Sequence, residues 1–164
     1  VSDILDLKLK GIGETKAITL VAALELGRRR KELIPEDKKG FLSGKDVFEL
    51  MSPILSDERE EHFYVILLNR QNKLIDKIEI SRGGITSTTV DARSVFKYAL
   101  QRNATSVILC HNHPSGNDRP SGDDVSLTKK MKSAGEALDI NVIDHVIIAD
   151  KKYFSFADNS LLNQ

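Results

Sequence analysis

A chain of 164 residues, 40% apolar and 29% charged, has room for one well-packed core and a small appendage, which excludes two full-sized domains and a disordered or fibrous chain. Lys plus Arg and Asp plus Glu both number 24, so no global positive field draws the chain to nucleic acid or to an anionic membrane, and any such contact is local. Cys110 is the single cysteine, which excludes an internal disulfide and every zinc site built on two or more thiolates. No stretch approaches the roughly 20 apolar residues of a membrane span and no signal peptide opens the chain, so it reads as cytoplasmic. It begins at Val1 rather than Met, as a piece of a longer protein would.

Gly11-Ile12-Gly13 is turn-like, and the segment 14–34 behind it places Ala17, Leu20, Val21, Leu24 and Leu26 at helical spacing. Residues 35–42 are polar and contain both Pro35 and Gly40, so they read as a linker between a helical segment at 1–34 and a main domain at 43–164. Ser43 is placed to cap a helix over 44–55. Phe63 to Leu68 is a continuous apolar run of strand length. After the polar turn 69–72, the segment 73–81, with Leu74, Ile78 and Ile80, reads as the returning arm of a hairpin that Gly83-Gly84 breaks.

Asp91 is an N-cap for a helix carrying Val95, Phe96, Ala99 and Leu100, which Asn103 closes before a second buried strand, Thr105 to His111. Residues 122–138 read as a helix with Leu127, Met131, Ala134 and Leu138 on one stripe, followed by a strand from Ile140 to Ile148 and a short one near 153–156. Strand, helix, strand in that order predicts a right-handed parallel crossover and an α/β fold.

His111-Asn112-His113 closes the second buried strand, where residues two apart share a face, so both imidazoles can reach one ion. The loop 114–120 turns the chain back, and Ser121 and Asp124 open the next helix. Two His and one Asp match the three-ligand count of a catalytic zinc that keeps its fourth position for water. Asp124 precedes the inward Leu127 by one helical turn, and an ionised carboxylate facing a core needs a counter-charge such as zinc. Taken singly the parts have structural readings: Ser121-x-x-Asp124 matches a helix-capping box, and His-x-His fits two surface histidines in a polar turn. Joined as His-x-His-x7-Ser-x2-Asp, they point to a metal. Cys110 faces away from His111 and reads as core; His145, within a buried strand, and His62 read as structural.

This spacing, with HNHPSG at 111–116 and PSGDD at 120–124, resembles the JAB/MPN, or JAMM, metalloproteases and in particular the bacterial RadC family. KGIGETKA at 10–17, DARSVFKYALQRNA at 91–104 and IDHVII at 143–148 extend the resemblance over most of the chain. It implies a cytidine-deaminase-like three-layer α/β sandwich with a central mixed sheet, preceded by a small helical segment. It also implies zinc on His111, His113 and Asp124, with Ser121 hydrogen-bonding a developing oxyanion. Glu61, just before the strand at 63–68, is the implied proton shuttle, with Glu60 as the neighbouring choice. The implied activity is hydrolysis of a peptide or isopeptide bond by a zinc-activated water. By its surroundings alone, SDEREEH, Glu61 is equally a solvated acid.

KGIGETKA is also similar to the second half of a helix-hairpin-helix module, in which Gly11, Gly13 and Lys16 would meet a DNA phosphate at a helix N-terminus, with Lys10 and Arg28 to Lys31 adding charge. The pattern of Val1 to Lys10 does not make a convincing first helix, and the plainer reading is a turn followed by a packed amphipathic helix. The alternative function is therefore a DNA-associated repair or recombination protein whose metal domain is a binding or structural module. A zinc deaminase is excluded because it needs a later Pro-Cys-x-x-Cys. The letters HNH at 111–113 are a contiguous strand end, unlike the dispersed site of an HNH nuclease.

Overall fold

The computed structural model describes residues 12–32, 40–41, 43–83 and 90–162. The chain divides into two units, residues 1–35 and 36–164. In the first, helix α1 (Glu14–Glu32) starts directly after Gly13, whose carbonyl accepts from the Ala17 N–H at 3.0 Å. Ala17 is buried, whereas Leu20, Leu24 and Leu26 lie exposed: helical spacing makes a helix, but an apolar face is buried only where something packs on it. Gly11 and Lys10 fall outside the described residues, as does most of the expected linker.

In the second unit, α2 (Gly44–Leu55) begins where Ser43 predicts, with the Asp46 carboxylate accepting from the Ser43 N–H at 3.0 Å and from its hydroxyl at 3.1 Å. β1 (His62–Leu68) and β2 (Leu74–Arg82) form the expected hairpin, and Asn69 organises its turn by accepting from Gln71 and Lys73 N–H. β2 stops before Gly83, which takes a φ of 90° that side chains disfavour; Gly84 lies outside the described residues. α3 (Ala92–Gln101) is capped by Asp91 and is followed by Asn103, whose φ of 52° turns the chain toward β3 (Ser106–Asn112). α4 (Gly122–Glu136), β4 (Asn141–Ala149) and β5 (Lys152–Ser155) follow.

The five strands lie in the order β2-β1-β3-β4-β5, with β3 and β4 parallel and every other pair antiparallel. Alternation along the strands splits the interior in two. Phe63, Val65, Leu67, Val107 and Leu109 pack against Val95 and Phe96 of α3 and Leu127 and Met131 of α4. Ile66, Leu68, Ile108, Cys110, Val146 and Ile148 pack against Val47, Met51 and Leu55 of α2. The result is a three-layer α/β/α sandwich around a mixed sheet. Among the described residues no helix is long and apolar enough to cross a membrane.

Two apolar positions read onto inward helix faces are corrected, Leu100 of α3, which is 54% exposed, and Leu138. Leu138 is 42% exposed, because α4 ends at Glu136 and the chain reverses at Asp139, φ 55°. The inward stripe of α4 is instead Asp124, Leu127, Thr128, Met131 and Gly135, which places two polar side chains against the sheet. Register brings the beginning of β1 beside the end of β3, Phe63 opposite His111, so residues just before β1 and just after β3 meet at one end of the sheet.

Candidate metal centre

His111 lies on the same side of β3 as Leu109 and so faces α4. His113 follows the last strand residue, yet its N–H still bonds the Ile148 carbonyl at 2.8 Å, so strand geometry persists far enough to keep both imidazoles together. A turn closed by Gly116 N–H on the His113 carbonyl, with Gly116 at φ 75°, then folds the loop back. Asn117 thereby brings its carbonyl to 2.7 Å from His113 Nδ1.

Asp124 completes the cluster from the first turn of α4. Its Oδ2 accepts from the N–H and the hydroxyl of Ser121, each at 2.6 Å, and its own N–H donates to Ser121 Oγ at 3.2 Å. Oδ1 is left to face His111 Nε2 at 3.2 Å, while His113 Nε2 is 3.6 Å from Oδ2. The two structural options for Ser121-x-x-Asp124 therefore coexist: one carboxylate oxygen caps the helix, and the same group faces both histidines. The two Nε2 atoms are 3.0 Å apart, and one ligand atom from each of the three residues lies within 4.8 Å of the others.

The charges respond accordingly. Burial alone would raise the Asp124 carboxyl, which is 2% exposed, but the imidazoles of His111 and His113 facing it and the hydrogen bonds from Ser121 hold it well below the usual carboxylate range. Burial lowers His111 despite Asp124, whereas the Asp124 carboxylate facing it at 3.6 Å raises the less buried His113. A cleft of about 240 Å³ opens over the cluster, lined by Glu61, His113, Ser115, Asn117, Arg119 and Ser121 among others.

A family model described as RadC-like JAB domain matches residues 41–161. A protein of Flavobacterium johnsoniae named UPF0758 protein is 50% identical over 155 residues, 94% of this chain and 68% of its own. UPF0758 proteins of Desulforamulus reducens and Methanosarcina barkeri are 42% and 37% identical, over 94% and 95% of this chain and 68% of theirs. The chain belongs to the RadC-like JAB family.

In this RadC-like domain Glu61 lines the cleft, half-buried, with its carbonyl accepting from Gly83 N–H at 2.8 Å. Glu60 is exposed and is not among the residues that line that cleft. Between these two glutamates acts a residue the sequence reading passes over. The buried Asn112 amide donates to the Glu60 carbonyl at 2.9 Å and accepts from the His62 N–H at 2.7 Å, clamping the backbone on both sides of Glu61. His145 and Thr128 were likewise not legible as neighbours of the cluster. His145 Nε2 is 2.9 Å from His111 Nδ1, and its Nδ1 is 2.7 Å from Thr128 Oγ1. The signal available for Thr128 was its place one helical turn after Asp124. His62 is structural, bonded to Glu79 at 2.8 Å, and burial pushes the Cys110 thiol up. In the other unit Gly13 is exposed at the start of α1, and Lys16 is exposed one turn along.

Proposed function

We propose that this RadC-like domain is a zinc-dependent hydrolase of the JAMM type that cleaves a peptide or isopeptide bond. The observation that carries the reading is the convergence of His111, His113 and a buried Asp124 within 4.8 Å, beneath a cleft that Glu61 lines. The donor set fits a cation. The Asn117 carbonyl can only accept, so His113 donates from Nδ1–H and a neutral ring turns a bare Nε2 toward Asp124. A buried carboxylate facing that nitrogen calls for a positive charge between them, which either a proton on Nε2 or a bound cation supplies. His111, His113 and Asp124 would hold the ion, and other divalent metals would accept the same ligands. When bound, such an ion supplies Lewis acidity, lowering the pKa of a water and polarising the scissile carbonyl.

The chain's own groups supply the rest. Glu61 takes one proton from the attacking water as its oxygen bonds to the carbonyl carbon, and gives that proton to the amine as the C–N bond breaks. Ser121, a single rotor at the cleft wall, turns its hydroxyl toward the developing oxyanion. Asn112 keeps Glu61 in place. Glu61→Gln is expected to retain zinc and lose turnover by about 10²-fold or more, the usual weight of a general base. The assay is a peptide and isopeptide library screened with zinc-loaded protein, and turnover preserved in Glu61→Gln overturns the role.

DNA association is the second reading, resting on exposed Gly13 and Lys16 at the start of α1. Glu14 in that first turn already complements the helix dipole and works against a phosphate there. Duplex binding that weakens steeply with salt and is lost in Lys16→Glu supports this reading; binding unchanged by either removes it.

A further inference from the structure

Behind the candidate ligands runs a file of buried polar groups that the hydrolysis does not use. Thr128 Oγ1 lies 2.6 Å from the Asp124 carbonyl and 2.7 Å from His145 Nδ1, and His145 Nε2 lies 2.9 Å from His111 Nδ1. A backbone carbonyl only accepts, and threonine has one hydroxyl proton. With that proton on the Asp124 carbonyl, Thr128 Oγ1 accepts from His145 Nδ1–H, and a neutral His145 is left with a bare Nε2. That nitrogen accepts in turn, so His111 donates from Nδ1–H. The lone pair of His111 Nε2 then faces Asp124 and His113. The reverse order would place a proton on His111 Nε2, the atom 3.2 Å from Asp124 Oδ1 and 3.0 Å from His113 Nε2.

The rings have little freedom to escape this order. His145 is fully buried, stacked on Phe156 at 4.9 Å and 14°, and meets Phe63 edge-on at 5.9 Å. Phe63 also stacks along His111 at 6.1 Å, so one phenyl ring braces both imidazoles. The file starts and ends on the cluster itself, since the carbonyl that anchors it belongs to Asp124.

We propose that Thr128 and His145 are positioning residues, a proton-ordered strut that holds His111 in its Nδ1–H tautomer and presents the Nε2 lone pair to a divalent cation. The strut's geometry is independent of the hydrolase reading; its consequence for metal affinity rests on that reading. Outer hydrogen bonds of this kind weigh about 10–100-fold in metal affinity.

The test uses two substitutions that a packing role and a tautomer role rank oppositely. Thr128→Val keeps the shape and removes the hydroxyl; Thr128→Ser keeps the hydroxyl and removes a methyl. Zinc affinity by chelator competition is expected to fall about 10-fold or more in the valine variant and to stay near the parent in the serine variant. Long-range proton–nitrogen spectra of the four histidines, with His111 assigned by its loss in His111→Gln, read the tautomer directly. Nδ1–H on His111 in the parent, lost or mixed in Thr128→Val, is the expected signature, with circular dichroism confirming the fold. Parent-like affinity in the valine variant, or Nε2–H on His111 in the parent, overturns the strut. A parent that takes up no zinc overturns the hydrolase reading instead, and the tautomer alone then decides for or against the strut.

Discussion

Replacing Asp124 by Asn separates the two tasks that its carboxylate combines. At the third position of the helix, asparagine keeps an amide oxygen that can accept from the Ser121 N–H as Oδ2 now does at 2.6 Å, so the start of α4 should survive. The charge does not. A cation enclosed by ligand atoms that lie within 4.8 Å of one another is no farther than that from the carboxylate. At that outer limit each unit of its charge is worth about 3.5 kcal/mol at an effective dielectric of about 20. At 1.4 kcal/mol per decade, Asp124→Asn should therefore weaken zinc by more than about 300-fold. Competition against a chromophoric chelator measures the affinity, and the far-ultraviolet spectrum of the chelator-treated variant checks that the helix remains. Zinc affinity within tenfold of the parent would leave Asp124 with a role at the helix start alone.

Two further outcomes follow from the groups around the cluster. Asn112→Ala strips the clamp from the backbone around Glu61: unfolding in urea should show a loss of about 1–3 kcal/mol from unpaired buried groups, and turnover should fall about 100-fold through misplacement of Glu61 while zinc binding persists. Zinc lost in step with turnover would contradict this. In zinc-stripped protein, burial holds His111 and His145 below the ordinary imidazole range, so the unfolded chain takes up these protons first as pH falls below about 6.5. Stability should then drop toward the folded pKa values, by up to about 1.4 kcal/mol per pH unit for each ring. His113, raised by Asp124, adds stability that is complete below about 6.5 and lost as pH rises through its folded value, so it adds no slope in the acid window. Urea midpoints that do not change between pH 7 and 5 would contradict the assignment.

Much of the fold was legible because it rests on local chemistry. Ser43, Asp91 and Ser121 announce helix starts through hydrogen bonds made within three residues, and the alternating strands sort themselves onto two faces. Leu138 misled because a stripe of helical spacing does not reveal where the helix stops; the reversal at Asp139 does. The candidate ligands were legible because all three fall within one strand–loop–helix passage. The strut was not, since Thr128 and His145 meet only when β4 pairs with β3, Leu109 opposite His145, a relation no spacing encodes. Asn112 was hidden differently: its partners are backbone atoms across a strand pair, and backbone acceptors leave no mark on the side-chain pattern.

Diffraction at the zinc absorption edge, from crystals of protein purified without a chelator and supplied with zinc, shows where the metal binds. One anomalous peak per chain is expected, enclosed by His111 Nε2, His113 Nε2 and the Asp124 carboxylate, with Glu61 on its open side. Anomalous density elsewhere, or none at these three residues, would contradict the proposed metal centre.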